Sequence, residues 1–245
     1  LQPVPNGGLL PLRRAIAEEL ARQRGLVVQP EQIVIGAGTE VLYSLLVQLL
    51  GQDRRYAVED PGYGKIARIY LSSRAAVSFV PLDESGLSVS ALRDSRADVV
   101  HISPSHHYPT GLVMPIARRQ QLLSWAREAP GRCILEDDYD SELRYQSRPI
   151  PSLQSIDNSD HTIYLGTFSK SMSPDLRISY MVLPTDLMKA YESSYSHTNC
   201  TVPTVLQLAL IEFIQSGNYQ RHIGAMKNHY KKKHDYILNY VNQNL

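Results

Sequence analysis

The sequence predicts an α/β protein, a three-layer sandwich with a mostly parallel sheet between helices. Short apolar, β-prone runs alternate with helix-period segments along most of the chain, and glycine-rich or polar turns fall between strand ends and helix starts. No internal repeat or low-complexity linker breaks that cadence.

Pro11 suits a first helical turn, and Leu12, Ile16 and Leu20 recur at helical spacing up to Gly25. A short strand over 32–35 runs into Gly36-Ala37-Gly38-Thr39-Glu40. The helix after it carries Leu42, Leu45, Leu46, Leu49 and Leu50 to a stop at Gly51. Strands are expected at 56–59, 77–80, 98–102 and 132–136, with helices at 62–72, 89–93 and 115–128 between them. Residues 162–165 and 178–183 read as two more strands, and everything after Thr185 as helices. The first residues read as a loop without an initiator Met and the last still read as helix, so the chain is expected to be part of a longer protein.

Composition narrows the function classes. A chain of 245 residues buries a sizeable core. With 25 basic and 24 acidic side chains it carries no field that argues for nucleic-acid binding by this segment. Lys231-Lys232-Lys233 reads as a solvated helix face, and Cys133 and Cys200 make no disulfide or metal framework. No signal peptide or membrane-length apolar run is present, and a soluble cytoplasmic protein without a membrane partner is the expectation.

Ligands of open α/β sheets bind at the carboxyl ends of the strands, and five stretches rich in reactive groups fall there. In 162–171, Thr167, Ser169 and Ser171 surround Lys170 at a strand end, with Arg177 following. A solvated lysine is the ordinary reading of such a turn; a Schiff-base amine beside an anion is the functional one. Gly36-Ala37-Gly38-Thr39 offers bare backbone N–H groups at a helix start, where phosphate is favoured, although it matches neither the dinucleotide fingerprint nor a P-loop. Pro61-Gly62 forces a turn that presents Tyr63 towards the same crevice. The loop from Ser103 to Gly111 is dense in hydrogen-bonding side chains, including His106, His107 and Tyr108. Its adjacent histidines point apart, and no metal site is expected. Glu136-Asp137-Asp138-Tyr139-Asp140-Ser141-Glu142 crowds carboxylates at a strand end, which demands a cationic partner. One ligand uses four of them: a phosphate on Gly38, Thr39 and Arg177, a ring under Tyr63, a ring nitrogen at Asp137, a phenolic oxygen near Tyr139 and an aldehyde on Lys170. That ligand is pyridoxal 5′-phosphate.

These motifs, with Pro104-Ser105-His106 and Leu176-Arg177-Ile178-Ser179-Tyr180, resemble the fold-type I pyridoxal-phosphate enzymes of the aspartate aminotransferase family. More narrowly they resemble the aminotransferase-like domain of MocR-type regulators of the GntR superfamily, GabR-like proteins among them. The resemblance implies Lys170, Asp137 and Tyr139 as the chemically active residues. Tyr63 would cover the ring, and Gly38, Thr39, Ser169, Arg177 and Thr167 would hold the phosphate. It implies Lys65, His106 and Tyr108 on the effector side. Residues 1–190 would be the cofactor-binding large domain, and 191–245 a helical segment leading to a small C-terminal domain. Tyr108 stands where most aminotransferases carry Asn, His107 where the MocR pattern usually has Gln, and Lys65 where GabR-like proteins have Arg.

The function so implied is effector sensing and oligomerisation. An amino compound would bind the cofactor's aldehyde in place of Lys170, in a homodimer that contacts DNA through a separate winged-helix domain. The alternative is an aminotransferase that moves amino groups between amino and keto acids.

Overall fold

The structure is a computed structural model that describes residues 5–143 and 150–244. Along the chain come α1 (Leu10–Arg24), β1 (Ile33–Gly36), α2 (Thr39–Leu50), β2 (Arg55–Asp60), α3 (Gly64–Ser72) and β3 (Ala76–Asp83). Then follow β4 (Gly86–Leu87), α4 (Val89–Asp94), β5 (Val99–Ile102), α5 (Ile116–Arg127), β6 (Cys133–Asp137) and α6 (Leu153–Ile156). The described chain closes with β7 (Thr162–Thr167), β8 (Ser179–Val182), α7 (Thr185–Tyr195), α8 (Thr204–Gln215) and α9 (Asn218–Asn244).

The strands form one sheet in the order β1-β8-β7-β6-β5-β2-β3-β4. The run from β7 to β3 is parallel, as the alternation with helices requires. β8 runs antiparallel to both β7 and β1. Only a turn and the short 3₁₀ segment Pro174–Leu176 separate β7 from β8, too little chain for a crossover helix.

Because successive strand residues face opposite sides, each strand feeds two cores. Val34, Val58, Val99, Leu135, Leu165 and Met181 pack under α2, α3 and α7. Their neighbours Val100, Ile102 and Ile134 pack under α4 and α5, and Ile33, Ile35, Tyr164 and Val182 under α1 and α8. Helices therefore cover both faces, which is the three-layer architecture the alternation predicts. Val202, Leu210, Ile214, Tyr219 and Ile223 fall in the same core as α1, so the helices after α7 begin by packing back on the sheet.

Three details differ from the sequence reading. β4 and α6, two and four residues long, are too short to show a period. β3 runs on to Asp83, where it pairs with β4. β7 continues through Gly166 to Thr167 instead of turning at the glycine. The Tyr180 ring of β8 fills the space a Cβ on Gly166 would need, so this glycine serves close strand packing.

Candidate functional site

Strand parity decides which carboxylate of the acidic run meets the crevice. Asp137 ends β6 two residues after Leu135, so it faces α2 and α3, while Glu136 faces α5. It lines a cavity of about 320 Å³ together with Thr39, Tyr63, Tyr108, Lys170 and Arg177. Tyr139, Thr167 and Ser169 line the same cavity.

Asp137 is 5% exposed. Its Oδ2 accepts a hydrogen bond from the Tyr43 hydroxyl, and His101 Nε2 lies 3.5 Å from the same oxygen. The Tyr70 hydroxyl sits 2.5 Å from His101 Nδ1, which fixes that ring from behind. Burial first, and Asp137 second, pushes the Tyr43 hydroxyl well above its usual titration range, so it stays protonated as a donor. The other oxygen, Oδ1, is buried and has no partner among the described residues. A buried carboxylate oxygen left so is costly unless a ligand donor meets it.

The neighbouring acids have protein partners. Arg24 Nε lies 2.8 Å from Asp138 Oδ2, which also accepts from the Tyr164 hydroxyl at 2.7 Å. Glu136 accepts the backbone N–H groups of Leu153 and Gln154, both at 2.9 Å, with Arg119 Nη1 3.6 Å away. Asp140 Oδ2 lies 2.5 Å from His106 Nδ1. Glu142, the last acid of the run, is buried, and burial pushes its carboxyl up to about 8.

Gly38 and Thr39 open α2, and Arg177, which lines the cavity with Thr39, adopts a left-handed backbone conformation after the 3₁₀ turn. The guanidinium lies over Gly38, where a Cβ would overlap it. Ser169 Oγ is buried without a partner among the described residues. Thr167 Oγ1 accepts from Ser179 Oγ at 2.8 Å and from the Ser169 N–H at 3.2 Å. Lys170 is exposed, and among the described residues it forms no hydrogen bond or ion pair. Tyr63 and Tyr108 meet edge to face, with ring centroids 5.7 Å apart. The Tyr139 hydroxyl donates to the His106 carbonyl at 2.9 Å, and burial raises its titration above the usual phenol range.

Two residues assigned to the effector side stand outside the cavity lining. Lys65 pairs with Glu40, and the His106 ring is exposed beside Asp140. Four others that sequence reasoning missed join the site or support it: Tyr43, His101, Glu40 and Glu59. Tyr43 lies one helical turn after Thr39, and His101 lies two strand residues before Ser103, so both were reachable by periodicity. Glu59, at the end of β2, accepts the Ser103 N–H at 3.0 Å and lies 3.5 Å from His107 Nε2. Burial, and then Asp137, raises its carboxyl to about 8; burial also lowers His107.

The profile of the aminotransferase class I and II family matches residues 3–243. The chain belongs to that family. Within it, the chain is 41% identical to the uncharacterized HTH-type transcriptional regulator YdeL of Bacillus subtilis, over 97% of this chain and 51% of that protein. It is 33% identical to the probable rhizopine catabolism regulatory protein MocR of Rhizobium meliloti, over 91% of this chain and 45% of that one. The chain thus spans about half the length of these regulators. The kynurenine aminotransferase of Pyrococcus horikoshii, solved with PMP, superposes with a TM-score of 0.85 at 28% identity, covering 98% of this chain and 61% of that one. Class I and II aminotransferase folds work with pyridoxal 5′-phosphate, and the residues present fit that group. The unpartnered Oδ1 of Asp137 suits a ring N–H, and the bare Gly38 backbone, Arg177 and unpartnered Ser169 Oγ suit a phosphate.

Proposed function

We propose that this chain is the pyridoxal-phosphate-binding, effector-sensing domain of a MocR-type transcriptional regulator, with an amino compound as effector. The observation that carries the reading is the identity to YdeL and MocR across almost the whole chain, joined to a cavity that brings Lys170 and Asp137 together. When bound, the cofactor supplies an aldehyde that condenses reversibly with amines and a protonated ring that withdraws electrons.

Lys170 would supply the amine that holds the cofactor's aldehyde, in the place an effector amine would take. Asp137 Oδ1 would keep the ring nitrogen protonated, and Tyr43 and His101 hold that carboxylate in place. Tyr63 would cover one ring face, and the Tyr139 oxygen, whose proton goes to the His106 carbonyl, would hydrogen-bond the ring hydroxyl as an acceptor. Gly38, Thr39, Ser169 and Arg177 receive the phosphate, with Thr167 behind Ser169. Tyr108, Lys65 and His106 stand on the effector side. Residues 1–190 form the cofactor domain, and 191–245 lead towards a small C-terminal domain. Cytoplasmic homodimers would carry the signal to DNA through a winged-helix domain elsewhere in the protein. Among the described residues no helix is long and apolar enough to cross a membrane.

The test is borohydride reduction of the whole protein with the cofactor, followed by mass analysis. Covalent label on Lys170, lost in Lys170→Ala, is expected; label retained by that variant overturns the assignment. Repeated turnover of an amine and a keto acid would favour the aminotransferase reading.

A further inference from the structure

Glu40 places a fixed carboxylate inside a site built for a phosphate. It lies in the first turn of α2, and its two oxygens reach different cations: Oε2 contacts Arg177 Nη2, and Oε1 contacts Lys65 Nζ. Lys65 does not line the cavity, whereas Glu40 and Arg177 both do. Above Gly38 the guanidinium and the carboxylate share one space, since a Cβ there would overlap the first and lie 2.9 Å from Oε2 of the second. The Arg177 and Lys65 side chains are about half exposed, at 48% and 49%.

We propose that Glu40 is an internal competitor for the phosphate-binding arginine: it occupies Arg177 while no phosphate is bound, and withdraws to Lys65 when one arrives. This rests on the reading of Gly38, Thr39 and Arg177 as the phosphate end. Ion pairs this exposed are weak, so a ligand can displace them. A phosphate dianion brings paired oxygens to the guanidinium and also meets the amides at the start of α2, neither of which Glu40 does as fully. Lys65 gives the displaced carboxylate a partner within reach of its present position. Two cations and one carboxylate sum to +1; a dianion takes the cluster to −1, whereas without the Glu40 charge it would reach 0. Glu40 therefore holds cofactor affinity below what the cations alone would give. Lys65 acts as a positioning residue for Glu40.

The experiment measures dissociation constants for pyridoxal 5′-phosphate, and for inorganic phosphate by competition, on the whole protein. Glu40→Gln is expected to tighten both by about 5- to 20-fold at low salt, with the gain shrinking as salt rises. Lys65→Ala should weaken both, because Glu40 is then left with Arg177 alone and one cation is lost; in the Glu40→Gln background only the lost cation counts, so the weakening should be smaller. Glu40→Ala serves as a second variant, with circular dichroism reporting the fold of each. Unchanged or weaker binding in both Glu40 variants overturns the proposal and makes Glu40 a support for Arg177. If Arg177→Ala weakens the wild-type affinity in that case, the phosphate reading survives and only the competition fails. If the wild type binds neither probe, both fall.

Discussion

The Tyr43 hydroxyl of α2 donates a hydrogen bond to Oδ2 of Asp137 at the end of β6, while Oδ1 of the same buried carboxylate has no partner among the described residues. One oxygen is thus held by the protein and the other is left for a ligand donor. A charge-assisted bond of this kind contributes roughly 1.5–3 kcal/mol, so Asp137→Ala should weaken pyridoxal-phosphate affinity by roughly 10- to 150-fold. Absorbance titration reads it directly. An unchanged dissociation constant would remove Asp137 from the site.

Tyr43→Phe asks what holds that carboxylate in place. The change keeps the ring against His101 but removes the donor, leaving a buried acceptor under-satisfied. Cofactor-free protein should lose about 1–3 kcal/mol in urea unfolding. Combined with Asp137→Ala, the two losses should be less than additive, because both act on one bond.

Glu59 makes stability fall with rising pH. Its carboxyl is raised to about 8 by burial and by Asp137, against an ordinary value of 4.5. Between those values the folded state holds a proton that the unfolded state has released. Stability from this group is complete below about pH 4.5 and declines as pH rises towards 8, by up to about 1.4 kcal/mol per unit. Glu59→Gln, which stays neutral, should flatten that decline in urea titrations from about pH 5 to pH 8. A parallel decline in the variant would assign the effect to Glu136 or Glu142, whose carboxyls are also raised.

Much of this was legible before any coordinates. Strand and helix alternation gave the layers, and the rule that ligands collect at strand ends brought Lys170, Asp137, Tyr63 and Arg177 to one cavity. The antiparallel β8 was not read, because a strand's period carries no direction; only the short link from Thr167 to Ser179 holds that information. Tyr43 and His101 were missed because each looks like an ordinary core aromatic until parity is compared across elements. The burial of Glu142 is not legible in the sequence, because nothing local announces that Tyr180 and Tyr219 lie close by.

Arg119 is fully buried, and its guanidinium ties three segments together. Nε donates to the Met114 carbonyl at 3.1 Å, Nη2 to Pro104 at 2.8 Å and Nη1 to Pro151 at 3.0 Å, with Glu136 alongside. Pro104 and Met114 bracket the loop that presents Tyr108 to the cavity, so a residue outside the site sets the loop's position. Arg119→Met would strand the Met114 and Pro151 carbonyls, while Pro104 keeps the Met114 N–H at 2.8 Å, and breaking such a buried cluster typically costs about 3–5 kcal/mol. Glu136 tempers this, since burial and Asp138 already raise its carboxyl to about 7 and it can take a proton once the cation is gone. The loss should therefore be larger at pH 8 than at pH 6, where the carboxyl is mostly neutral. Arg119→Lys should recover only part of it, because one ammonium cannot serve three divergent carbonyls. Urea unfolding at both pH values measures the cost, and amide exchange over 103–115 reports the loop. A loss below about 1 kcal/mol, the scale of a single ordinary hydrogen bond, with exchange unchanged, would mean that the loop is held without Arg119.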